Sequence, residues 1–237
     1  MIRISQVSKT YSGSVKAVDQ MDLDIPSGKI IGFLGPNGAG KTTTLKMLTG
    51  ILTPDQGEII IDGIDMKKEP IQAKMKIGYV SDDADVFLRL KGIEYLNFMA
   101  DAYKVSQEER KERIQNLAHK LEMDTALKDR IQSYSHGMRQ KIIIMGALVH
   151  NPKIWILDEP MTGLDPQSSF VLKEMMRTHV KEGNTVFFST HVLEVAEKLC
   201  DQAAIINKGK IIYYGDVDGL EARFMELTEH EKNLETI

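Results

Sequence analysis

An α/β fold interrupted by a mostly helical insertion is predicted for this 237-residue chain, on three observations. Short apolar runs with strand character recur at Ile30–Leu34, Ile77–Val80, Ile154–Leu157, Thr185–Ser189 and Ala203–Ile206. The first run feeds a glycine-rich turn, Gly35-Pro36-Asn37-Gly38-Ala39-Gly40, which opens a helix ending at Gly50. From 81 to 150, glycines and β-branched runs give way to helical spacing with dense charge. The expected layout is a single domain: an α/β core over 1–80 and 151–219, a helical subdomain over 81–150, and a C-terminal tail over 220–237.

Each element has a local cause. Met21, Leu23 and Ile25 alternate with Asp22 and Asp24, the pattern of a strand buried on one face, and Pro26-Ser27-Gly28 turns it into the next strand. Pro54-Asp55-Gln56-Gly57 is a second turn. Glu58–Ile61 and Ile64–Met66 flank Asp62-Gly63, a hairpin signal, so the N-terminal part is expected to carry an antiparallel β subdomain and the whole sheet to be mixed. In the insertion, Ser106 with Glu109 fits a capping box, and Ile114, Leu117, Ala118 and Leu121 form the apolar face of the helix it starts. Asn207-Lys208-Gly209-Lys210 reads as the turn of a late hairpin, and the tail as a helix with a frayed end. His119, His150, His179 and His230 show no partnered spacing and are expected to be solvated or structural.

Bulk properties exclude several classes. A net charge of −4 supplies no basic field to draw the chain to nucleic acid or anionic lipid. Cys200 is the only cysteine, which excludes an intrachain disulfide and suits a reducing compartment. The longest apolar runs, such as Ile142–Val149, fall far short of a membrane span, and the N-terminus lacks a secretory core. The expectation is a soluble intracellular protein that works at a membrane only if another chain holds it there.

Gly35–Thr42 fits G-x-x-x-x-G-K-[ST], the loop that cradles nucleotide phosphates. Its glycines let successive backbone N–H groups aim at one anion, Lys41 supplies charge for the β- and γ-phosphates, and the Thr42 hydroxyl suits Mg²⁺. Ile154–Leu157 ends in Asp158-Glu159. A strand adjacent to the phosphate-loop strand would bring Asp158 to the metal shell and leave Glu159 to polarise an attacking water. Ser189-Thr190-His191 follows another buried strand, from whose end His191 can reach a γ-phosphate and the catalytic carboxylate, a surface or capping role being the alternative.

Tyr134-Ser135-His136-Gly137-Met138-Arg139-Gln140 discriminates among phosphate-loop enzymes. It resembles the signature motif of the ATP-binding-cassette (ABC) ATPases. The order of motifs is also similar: phosphate loop, helical insertion, signature, Leu157-Asp158-Glu159-Pro160, Gly163-Leu164-Asp165-Pro166, then Ser189-Thr190-His191. The resemblance spans about Ile2 to Gly215. It implies the ABC ATPase fold with ATP and Mg²⁺ as cofactors. Tyr11 takes the position that stacks on adenine, Gly35, Pro36, Asn37, Gly38, Ala39, Gly40, Lys41, Thr42 and Thr43 hold phosphates, Asp158 supports the metal, Glu159 activates water and His191 contacts the γ-phosphate. It further implies that Ser135, His136 and Gly137 close on nucleotide held by a second cassette, with Asp165 in the loop joining the two sites. Two cassettes, as homodimer or heterodimer, would then pair head to tail around two ATP and drive separate integral membrane subunits. The chain would sit on the cytoplasmic face of the membrane, and nucleic acid is not an expected partner.

Three positions depart from the commonest family pattern. Asp82 stands where a glutamine normally follows the strand ending at Val80, and its carboxylate suits a Mg²⁺-bound water. His136 replaces a glycine, with its imidazole directed either at phosphate or at solvent. Met138 replaces a glutamine, which is similar to the drug- and antibiotic-exporter branch. Phe87, Leu88, Leu90 and Ile93 lie where the family docks its membrane subunit. A soluble cassette ATPase acting on the ribosome or nucleic acid is the alternative, disfavoured by the acidic balance and the lack of a second cassette or basic linker. A phosphate-loop kinase or GTPase is disfavoured because Lys210 stands where a guanine-binding NKxD carries its carboxylate.

Overall fold

The computed structural model of the chain describes residues 1–11, 15–85 and 87–226. Two sheets carry the fold. The smaller is antiparallel, with β1 (Ile2–Tyr11) between β2 (Val15–Ile25) and β4 (Gln56–Ile61), and β5 (Ile64–Asp65) beyond β4. Asp62 and Gly63 join β4 to β5 with φ of 51° and 82°, the paired left-handed conformation that a two-residue hairpin of the correct twist requires.

The larger sheet has six strands. Its order is β10 (Lys210–Gly215), β9 (Gln202–Asn207), β3 (Ile30–Leu34), β8 (Thr185–Thr190), β7 (Ile154–Leu157) and β6 (Ile77–Val80). All neighbours run parallel except the β9–β10 hairpin. The sheet is therefore mixed, as expected. One expectation fails: β7 does not lie beside β3, because β8 pairs with both and separates them. Lateral strand order is a product of long-range pairing, which apolar periodicity does not encode.

Alternation along these central strands feeds two cores. Ile31, Phe33, Ile154, Ile156 and Phe187 point to the face packed with the small sheet and with α1 (Lys41–Leu48) and α2 (Pro70–Lys74). Ile30, Leu34, Trp155, Leu157, Val186 and Phe188 point the other way, to helices α3 (Gly92–Ala102), α4 (Gln107–Lys120) and α5 (His136–Leu148). Those helices occupy the chain between β6 and β7. Burying an apolar side chain on both faces at every strand position is what a parallel sheet covered by helices demands.

Ser106 caps α4 by accepting from the Glu109 backbone N–H at 3.3 Å, while the Glu109 carboxylate accepts from the Ser106 hydroxyl at 3.1 Å. The reciprocal bond of a full capping box is found instead at α3, where Glu94 accepts from the Lys91 backbone N–H at 2.8 Å. Two further helices, α6 (Pro166–Lys181) and α7 (Leu193–Leu199), follow β7 and β8. Residues 220–226 are helical; the rest of the expected tail, with His230, lies outside the described residues. Among the described residues no helix is long and apolar enough to cross a membrane.

Candidate nucleotide site

Parallel pairing places the carboxyl ends of β3, β6, β7 and β8 along one edge of the sheet, where such folds bind ligands. Each end carries a residue singled out above: the Gly35 loop, Asp82, Asp158-Glu159 and His191. Sequence positions up to 156 residues apart (191 minus 35) thus converge on one place.

The loop itself is shaped by its glycines. Gly38 and Gly40 take φ of 81° and 110°, and a Cβ at Gly40 would stand 2.3 Å from the Ala17 carbonyl oxygen, so no other residue fits there. Lys41 folds back under the loop. The side chain is only 6% exposed, and its ammonium donates to the Gly35 carbonyl at 2.6 Å and the Pro36 carbonyl at 3.3 Å. It also faces Glu159 Oε1 at 3.6 Å.

Glu159 is the centre of the cluster. Its other carboxylate oxygen lies 3.0 Å from His191 Nδ1, and its backbone takes φ of 45°, a conformation that costs a non-glycine residue roughly 1 kcal/mol. A hydrogen bond from its own N–H to Ser189 Oγ at 2.9 Å holds it there. The Ser189 hydroxyl in turn donates to Asp158 Oδ1 at 2.5 Å. Ser189 therefore ties β8 to both carboxylates and bridges the gap left by the strand order. Reading the sequence singled out His191 of this segment and passed over Ser189, although a hydroxyl at the buried end of a strand beside an acidic pair is the signal.

Asp158 is fully buried, and burial pushes its carboxyl above the usual range against the lowering bonds from Ser189 and Thr42. Like charge on Asp82 and Glu159 adds to the rise. Its Oδ2 is buried without a hydrogen-bond partner. A buried, half-satisfied carboxylate beside Thr42 and Asp82 is a donor set that suits a small divalent cation. Among the described residues, no three His, Cys, Asp or Glu side chains are arranged to hold a metal by themselves. Mg²⁺ fits that description, since it takes one or two carboxylates and completes its shell with phosphate and water.

A cavity of about 240 Å³ runs along the loop and is bordered by Asn37, Gly38, Lys41, Thr42, Asp82 and Glu159. A second, of about 230 Å³, shares Asn37, Asp82 and Glu159 and extends to His136, Gln140, Thr162 and His191. Tyr11 is 44% exposed near the loop, its hydroxyl 3.4 Å from Thr43 Oγ1. Ser135, Gly137 and Asp165 line neither cavity. Ser135 caps α5, accepting from the Met138 N–H at 3.3 Å. Asp165 caps α6, accepting from the Ser168 N–H at 2.9 Å and hydroxyl at 2.5 Å, bonds that hold its carboxyl below the usual range. His136 is exposed and borders the second cavity, and its imidazole rests against Gly163.

Fold and site define a nucleotide-binding enzyme of the phosphate-loop class. The family described as ABC transporter matches residues 18–162. The chain is 37% identical over 224 residues to the ABC transporter ATP-binding protein NatA of Bacillus subtilis, across 93% of this chain and 91% of that protein. It is 36% identical over 221 residues to the daunorubicin/doxorubicin resistance ATP-binding protein DrrA of Streptomyces peucetius, across 93% and 67%. Among solved structures, the ATP-binding subunit of an ABC transporter superposes with a TM-score of 0.90 at 28% identity, across 97% of this chain and 98% of that one. A dimeric ATP-binding cassette in a post-hydrolysis state with ADP and phosphate gives 0.84 at 25%, across 92% and 99%. The chain belongs to the ABC transporter family, as an ATP-binding subunit that hydrolyses ATP.

Proposed function

We propose that this subunit pairs head to tail with a second cassette, a copy of itself or a homologue, around two ATP, and drives export through separate integral membrane subunits that hold it at the cytoplasmic face of the membrane. The observation that carries the reading is the Glu159 carboxylate, set between Lys41 and His191 at the mouth of the glycine cradle. In that place it accepts a proton from a water attacking the γ-phosphate, with Lys41 on the β- and γ-oxygens and His191 fixing the carboxylate and reaching the γ-phosphate. Tyr11 stacks on adenine. Thr42 and Asp158, with Asp82 beside them, would hold Mg²⁺, which would supply charge neutralisation to the phosphates.

Ser135, Gly137 and Asp165 lie outside the two cavities of their own subunit, which supports their service to nucleotide on the partner. ATP then joins the halves, and loss of the γ-phosphate releases them. Export is favoured by likeness to a drug-resistance ATP-binding protein. Phe87 and Phe98, 46% and 50% exposed and 5.5 Å apart between ring centres, offer an apolar face to the membrane subunit.

Glu159→Gln keeps the shape of the side chain and removes the base. With ATP the variant should run on gel filtration as a dimer, and without ATP as a monomer. A monomer under both conditions, in the presence of the co-purified membrane subunits as well as alone, would refute the shared site. Asp82→Ala is expected to raise the Mg²⁺ concentration for half-maximal ATPase activity of the assembled transporter several-fold, by about 1 kcal/mol of lost charge-assisted contact. An unchanged Mg²⁺ titration would remove Asp82 from the metal shell.

A further inference from the structure

The His136 ring fills the space above Gly163. A Cβ built on Gly163 would meet His136 Cδ2 at 2.1 Å and Nε2 at 2.5 Å, and one built on Gly137 would stand 3.1 Å from the Gly163 carbonyl oxygen. The opening of α5 therefore packs on a single glycine, itself at φ 77°. That glycine belongs to a short segment fixed at both ends. At one end Glu159 is pinned by Ser189 and the Thr162 N–H donates to the Glu159 carbonyl at 3.1 Å. At the other, Asp165 caps α6. His136, Thr162 and Glu159 border the same cavity.

We propose that His136 is a positioning residue: by packing on Gly163 within its own subunit, the imidazole ties the start of α5 to the 159–165 segment and so sets where the Glu159 carboxylate stands. The inference rests on Glu159 as the base and deepens that reading. It joins the helices inserted between β6 and β7 to the edge of the parallel sheet through one ring and a segment of a few residues. A displacement of α5 then reaches the base directly, without passing through nucleotide. The ring acts here by its shape. Phenylalanine should replace it, and lysine, which keeps a cation but loses the flat face, should not.

The test uses the complete transporter for turnover and the full-length chain for stability. His136→Gly is expected to lower kcat about tenfold with little change in KM for ATP, as a misplacement of the base by a fraction of an ångström would. His136→Phe should stay within about twofold of the parent, and His136→Lys should fall with His136→Gly. In thermal unfolding, Gly163→Ala should lower the midpoint far more in the parent than in the His136→Gly background, because only the parent holds a ring where the new Cβ must go. Additive midpoints would overturn the proposal whatever the activities. Activity retained by Lys and lost by Phe would also overturn it, in favour of an electrostatic role. Turnover absent from the parent transporter would remove the functional reading and this inference together. Turnover present but indifferent to His136→Gly would remove the inference alone.

Discussion

Lys41→Ala is expected to weaken ATP binding, with an apparent Kd at least about a hundredfold above that of the parent, roughly 3 kcal/mol. The cause is the charge balance of the cradle. Among the described residues bordering the loop cavity, Lys41 is the lone Lys or Arg, beside the carboxylates of Asp82 and Glu159. A triphosphate brought to that place without the ammonium meets two anions and the loop N–H groups alone. The ammonium is also preorganised: the Gly35 and Pro36 carbonyls fix it before ligand arrives, so little side-chain entropy is lost on binding. Lys41→Arg is not expected to restore affinity, because a planar guanidinium does not fit a slot that leaves the lysine 6% exposed. Titration with a fluorescent ATP analogue measures both. Affinity within about fivefold of the parent in Lys41→Ala would mean that the phosphates are held elsewhere.

What could be read from residues alone, and what could not, divides along a physical line. The phosphate loop was legible because its constraints are local: glycine is required wherever φ is positive and a Cβ would strike backbone, as at Gly40. The hairpin turns at Asp62-Gly63 and Lys208-Gly209 were legible for the same reason. Strand termini were legible as apolar runs that end in polar residues, and those ends hold Asp158, Glu159 and His191. The lateral order was not, since β8 between β3 and β7 is decided by pairing across the whole chain. With the order hidden, the bridging role of Ser189 was hidden too. The lean of His136 on Gly163 depends on how α5 meets the segment after β7, a contact between elements with no local signature.

Histidine burial belongs to the same class, and it carries the second large effect. Stability should be flat above about pH 7 and fall steeply as pH drops from 6.5 towards 4. His150 and His179 both have their ordinary value of 6.5 pushed down to about 4, in each case chiefly by burial. For His150 a bond to the Ile77 carbonyl opposes the drop, while Arg113 and His179 reinforce it; for His179 a bond to the Pro152 carbonyl opposes it. Because the folded-state values lie below the unfolded ones, the unfolded chain binds more protons inside this window, so acid favours unfolding. Each histidine then contributes a loss on the order of 2–3 kcal/mol near pH 4, a large share of the roughly 5–15 kcal/mol that holds a domain together. Asp158 has the opposite sign, since its raised value lets the folded state take up a proton first, and it offsets part of the fall. Asp19, Asp55, Asp65 and Asp165 are held below 3.8, so what they contribute is lost only beneath the histidine window. His150 stacks on Tyr103 at 3.5 Å between ring centres, and the Tyr103 hydroxyl also donates to the Ile77 carbonyl at 3.3 Å. His150→Phe therefore keeps the stack and leaves that carbonyl bonded, and His179→Phe keeps the edge contact with Trp155. Urea midpoints measured between pH 7.5 and 4.5 should show a shallower decline for each variant and the shallowest for the pair. A decline as steep in the double variant as in the parent would assign the acid sensitivity to other groups.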